Sequence, residues 1–251
     1  MTPSDTQPLA GNGVLRFARI VLASASDLLV ANLLCCLLLL PCAAAFLAVL
    51  LTTRNFWLAL LAGMAFGAPV GGALCGLEKS VLDIVRNREG KPARAFWNSF
   101  RREWRQALLL GWLAYFEVML IVYAILFHSA IDAFEMPVRL WTLIGLSILF
   151  LHVILTYALP QQVVMQLSFA KLCKNSLILF FANFGTSTLC LFLTLALAAV
   201  MVLFAPVSLP FLLLLGLALL SLIRLMFAWP VIDRAFSIEQ KTVGAEKSAS
   251  K

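Results

Sequence analysis

The sequence predicts an all-α fold: a polytopic membrane protein of about six transmembrane helices, with an amphipathic helix lying at one membrane face. Three observations predict it. Of 251 residues, 63% are hydrophobic and 12% are charged, with a mean hydropathy of +0.98, whereas a soluble domain carries about a quarter charged residues. Residues 28–51 run for 24 positions without a charge, and about 20 apolar residues cross a bilayer. The basic residues, finally, sort to one side of the spans such runs define.

The spans expected are 28–51, 57–77, 107–127, 141–160, 183–205 and 207–229. Their apolar residues are continuous rather than alternating, so they read as helices, which satisfy their own backbone groups in lipid. Pro206 and Pro210 mark a tight turn between the last two. Residues 1–20 read as a polar N-terminal segment, 21–235 as one transmembrane domain, and 236–251 as a small, polar, charged and disordered tail. No proper apolar region precedes the small residues at 23–26, and Pro41 directly before Cys42 argues against lipoprotein processing, so the first span reads as uncleaved.

With six spans, all of the 19 Lys and Arg except Arg54 and Arg139 fall on the side of the N-terminus. Lys and Arg accumulate in cytoplasmic loops, so both termini are expected inside, in the cytoplasmic membrane of a bacterium. The six cysteines, mostly within or beside apolar runs, form no CxxC or Cys/His spacing for a metal and read as small packing residues.

The stretch VRNREGKPARAFWNSFRREWRQALLLGWL at 85–113 holds six arginines and three tryptophans. On a helix over 94–108, Phe96, Trp97, Phe100, Trp104 and Leu108 share one face. Arg94, Asn98, Arg101, Arg102 and Arg105 take the other, with Glu103 on the flank of the apolar stripe. Such a helix lies in the membrane interface or docks a cytoplasmic partner. No nucleic-acid motif accompanies the charge, so nucleic acid is not an expected partner.

This stretch resembles the hallmark region of the YesL family of bacterial integral membrane proteins, a family of unknown function. Phe96, Trp97, Ser99, Phe100, Gln106 and Ala107 fit its FWxSFxxxxxQA segment, Leu40 and Pro41 its Leu-Pro in the first span, and LPQQVVMQLSFAKLCKNSLILFFAN from 159 its later cytoplasmic segment. The resemblance covers roughly 15–235. The run from Leu40–Pro41 to the basic loop is longer here than in the family and includes the second span; many members would have one span fewer. The resemblance implies no catalytic residues. It implies an association with carbohydrate uptake, because the family's genes often sit beside carbohydrate ABC transporter components and glycan-degrading enzymes.

Within the spans, Gly63, Gly67 and Gly71, and Gly72 and Gly76, are spaced four apart around Pro69. A stripe of this kind lets another helix approach closely, and Pro69 should kink its own helix; a broken helix lining a transporter cavity is the other reading. Glu117 lies mid-span, where an acid should face protein or water, and His152 lies at similar depth in the next span. Together they are a hydrogen-bonded structural pair, or a proton, cation or substrate site. Asn32 and Arg224 are further intramembrane polar groups, Arg224 close enough to the end of its span to snorkel. Gln161, Gln162 and Gln166 suit a cytoplasmic exit or a partner contact.

No GxxxxGK[ST], HExxH or GxSxG motif is present. The expectation is a non-enzymatic protein without cofactor or metal, in contact with the lipid bilayer. Three functions remain: an accessory or permease-like component of carbohydrate uptake partnered with ABC transporter subunits, a stand-alone secondary transporter with a midplane site around Glu117, or a membrane scaffold or regulator.

Overall fold

In a computed structural model, which describes residues 13–88, 90–130, 138–204 and 207–238, the chain is helical and no strand occurs among the described residues. An amphipathic α1 (Gly13–Ala23) leads into α2 (Ala25–Thr53). At 29 residues, α2 is about 43 Å long and exceeds a roughly 30 Å hydrocarbon core. Arg54 ends it in the left-handed region at φ 54°, its N–H donating to Leu50 O. The Asn55 side chain then accepts from Leu58 N and starts α3 (Phe56–Phe66).

The expected second span is broken. Gly67, Ala68 and Pro69 separate α3 from α4 (Val70–Val85), and the two meet at 61°. α4 also runs past the expected end at 77. α5 (Pro92–Glu103) and α6 (Leu108–Ala130) form a second bent pair, at 106°. α7 (Val138–Met165) continues through Pro160, and α8 (Phe169–Ala182) joins it to α9 (Phe184–Leu203). α10 (Leu209–Phe236) contains a π-helical turn at Leu212–Gly216. Four helices (α2, α7, α9, α10) are long and apolar enough to cross a membrane, and the count rises to six if each bent pair is one span. The turn at Pro206 and the tail from 239 lie outside the described residues.

Leu28, Ala31 and Cys35 of α2, Leu77 and Val81 of α4, and Leu222 and Leu225 of α10 pack into the largest core cluster, together with Phe96 of α5. Leu37, Leu47, Leu61, Phe150 and Phe192 point outward, an apolar jacket suited to lipid rather than water. Polar contacts gather at one end of the bundle. Ser24 and Asp27 at the start of α2 line a cleft with Asp83 and Asn87 at the end of α4. Arg102 of α5 reaches Val163 O near the end of α7, and Arg86 stacks over Trp229 of α10 at 4.8 Å. This is the basic end.

The glycines explain how the bent pairs nest. A Cβ on Gly71 would lie 1.9 Å from Ala107 O, and one on Gly111 would lie 2.2 Å from Gly71 N. The starts of α4 and α6 therefore cross in backbone contact. Gly72 and Gly76 make room for Phe100 and Phe96, and Gly63 for the Tyr115 hydroxyl, which donates to Leu60 O at 3.2 Å. At Gly67 a Cβ would meet Gly63 O at 2.9 Å. The small-residue stripe is thus filled by neighbouring helices and rings.

Candidate functional site

Two polar constellations stand out, one inside the helices and one at the basic end. In the first, α6, α7 and α9 bring Glu117, His152 and Thr194 together. Glu117 Oε1 lies 3.0 Å from His152 Nδ1, and His152 Nε2 lies 2.7 Å from Thr194 Oγ1. Glu117 is about 14 Å along α6 from its start, and it is buried, as is Thr194. The two residues matched by depth in the sequence do face each other; Thr194 is the member the sequence reading missed.

The proton count in this chain is constrained. Thr194 Oγ1 also lies 2.9 Å from Cys190 O. If its single proton goes there, His152 Nε2 must be the donor to Thr194. The Glu117–His152 hydrogen bond then holds one proton, as carboxylic acid with neutral imidazole or as carboxylate with imidazolium. Both forms leave the pair with no net charge. Removing that proton leaves one buried negative charge, with Thr194 turning to donate to Nε2. The chain of hydrogen bonds can thus place one proton on either member of the Glu117–His152 pair.

The second constellation surrounds α5. Sequence periodicity put Phe96, Trp97, Phe100 and Trp104 on one helix face, at the membrane interface or against a partner. In the structure α5 packs part of that face onto α4. Phe96 is fully buried against Gly76, and the partly buried Phe100 packs against Gly72. Ser99 Oγ donates to Cys75 O at 3.3 Å. Trp97 and Trp104 stay 37% and 39% exposed. The apolar face is shared between the core and the outside because the glycines of α4 open a groove for the two phenylalanines. The helix expected to run to 108 turns at Trp104, where the chain enters α6.

Glu103, expected on the flank of the stripe, is 0% exposed. Its Oε1 accepts from Arg102 Nε at 2.7 Å and from Gln166 Nε2 at 2.9 Å, and its Oε2 accepts from Gln162 Nε2 at 2.7 Å. Gln162 also donates to Gln106 Oε1 at 3.2 Å, and Arg102 Nη2 donates to Val163 O at 3.0 Å. The α5–α6 elbow is therefore bolted to the end of α7. The glutamines after Pro160, expected at an exit or partner contact, divide between tasks: Gln161 and Gln162 are buried, and Gln161 donates to Tyr157 O beside the proline. Arg102 belongs to this bolt, while Arg101 and Arg105 stay outside it; Arg105 stacks on Trp104 at 5.2 Å.

Two further polar residues are corrected or completed. Arg224 does not snorkel: its Nη2 donates to Glu78 Oε1 of α4, and the glutamate is 1% exposed. Asn32 is matched to the π-helical turn. Its Nδ2 donates to Leu212 O and Leu213 O at 3.1 and 2.6 Å, and its Oδ1 accepts from Ala218 N at 2.8 Å. A π-turn interrupts the regular ladder, and one buried amide serves the groups on both sides of the interruption. Depth did not pair Glu78, just beyond the expected span end at 77, with Arg224, which lies inside the span ending at 229; nothing in LLLLG announced the π-turn.

Compared with protein-family models, curated proteins and solved structures, the chain matches none. Function is therefore argued from the two constellations themselves.

Proposed function

We propose that this chain is a non-enzymatic membrane component that works through the outward side of α5, as an accessory or permease-like subunit of carbohydrate uptake in a bacterial cytoplasmic membrane. The observation that supports it most is the bolting of α5. A helix that only anchored at an interface would need no buried Glu103 to fix its pitch. Phe96, Ser99 and Glu103 hold this one against α4 and α7, and it presents Trp97, Arg101, Trp104 and Arg105 as a fixed set. Exposed tryptophan and arginine are the residue types that dominate protein interfaces. The resemblance to the YesL family supplies the partner class, ABC transporter subunits for carbohydrate, and one-sided basic residues support a cytoplasmic position for α5 and both termini.

The test is purification of the tagged chain from native membranes in mild detergent, followed by mass spectrometry. Stoichiometric transporter subunits that disappear in an R101E/R105E variant support the reading. Recovery of the same partners with that variant, or of no transporter subunit with the wild type, overturns it.

The Glu117–His152–Thr194 chain favours a second reading, a stand-alone proton-coupled secondary transporter, because it links three helices through one ionisable hydrogen bond. Glu117→Gln removes the carboxyl proton site at nearly constant shape. Proton-driven uptake by purified protein in liposomes that survives this change would sink the second reading.

A further inference from the structure

We propose that the cleft between the end of α4 and the first half of α5 binds a phosphate group, carried by an anionic lipid headgroup or by a soluble phosphate compound. The cleft has a volume of about 330 Å³ and is lined by Lys79, Asp83, Lys91, Arg94, Asn98 and Arg102, among others. Four of these six are cations. The one acid among them is already neutralised: Lys79 Nζ lies 2.7 Å from Asp83 Oδ1. Lys91 and Arg94 have no side-chain hydrogen bond or ion pair among the described residues. Both line the cleft, Lys91 as the residue before α5 and Arg94 in its first turn.

The walls are fixed before any ligand arrives. Ser80 Oγ, on α4, lies 3.1 Å from Pro92 O. Ser99 ties the next turn of α5 to Cys75, and Glu103 locks the last one. Two cations without an ion-pair partner among the described residues, held on one rigid wall, repel each other and gain from a shared anion. Arginine meets phosphate with two parallel hydrogen bonds and lysine meets it as a point charge; the Asn98 amide adds a neutral donor. Phosphate, with several oxygens and up to two charges, matches this donor set more fully than a carboxylate. The half-exposed Trp97 of the same helix suits headgroup depth, which makes a lipid one natural carrier. The site lies apart from Arg101 and Arg105 and does not depend on the partner reading above.

The experiment uses the full chain in nanodiscs with two arms. In the lipid arm, phosphatidylglycerol is titrated into phosphatidylcholine discs and native mass spectrometry counts retained lipid. In the soluble arm, inorganic phosphate is titrated calorimetrically into discs of phosphatidylcholine alone. The variant is K91A/R94A, both exposed residues; the control is K171A/K174A, which removes the same charge from exposed positions of α8. Phosphatidylglycerol retention that falls about tenfold or more in K91A/R94A but not in the control assigns the site to lipid. Saturable phosphate binding lost only in K91A/R94A assigns it to a soluble compound. K91A/R94A behaving like wild type in both arms, or the control losing as much, overturns the proposal.

Discussion

Replacing Glu103 tests how firmly α5 is held. Glu103→Ala removes an acceptor from three donors at once. Arg102, half-exposed and still bound to Val163 O, recovers by hydration, and the exposed Gln166 does the same. Gln162 cannot, because it is fully buried and keeps only the 3.2 Å bond to Gln106. Loss of charge-assisted bonds plus one weakened buried amide amounts to about 3–5 kcal/mol. Glu103→Gln should cost less, about 1–2 kcal/mol. Its oxygen can face Arg102 and Gln166 while its NH2 faces Gln162, whose Oε1 is buried without a partner and can turn to accept. Reversible unfolding in detergent micelles, and the rate of proteolysis around residue 90, should both rank wild type, Gln and Ala in that order. Equal loss for Gln and Ala, or an Ala protein as stable as wild type, would refute the assignment of Glu103 as the bolt.

Three other outcomes follow from the packing. Gly71→Ala, which sets a Cβ 1.9 Å from Ala107 O, should destabilise by about 2–3 kcal/mol or more, while Gly185→Ala, with nothing within 4 Å, should be near neutral in the same thermal melt. Asn32→Leu, which strips the π-turn of its side-chain partners, should lower stability by about 2 kcal/mol; an unchanged melt would mean that the turn satisfies itself. Glu78→Ala alone should cost about 3–5 kcal/mol by stranding the Arg224 guanidinium, whereas the double change to Leu at both positions should restore most of it, as read from a double-mutant cycle.

Much of the fold was readable because long apolar runs have few alternatives. The long apolar helices, the break at Pro69 and the close-packing role of the glycines follow from composition and spacing. What escaped depends on pairing across the sequence. Glu78 looked like the first residue of a polar loop, since a carboxylate at a span end is usually solvated; only a neighbouring helix shows that Arg224 reaches it. Glu103 sits among arginines in a segment that reads as water-facing, and its burial is decided by glutamines about 60 residues away. The apolar stripe of α5 was identified correctly as a stripe, but amphipathic periodicity does not tell lipid from protein, and the groove in α4 made the difference. Within the intramembrane pair, depth matching brought Glu117 and His152 together. Thr194 was invisible because a threonine that bonds its own helix is ordinary in an apolar span.

The central claim, that the outward side of α5 meets a protein, is tested most directly by photocrosslinking in intact cells. A benzophenone side chain placed at Arg101 is compared with one at Ile178, an exposed apolar position on α8. The expected result is a discrete polypeptide adduct from position 101, identified by mass spectrometry as a transporter subunit, and none from position 178. Lipid adducts alone at position 101, with wild-type α5 rigidity intact, would contradict it.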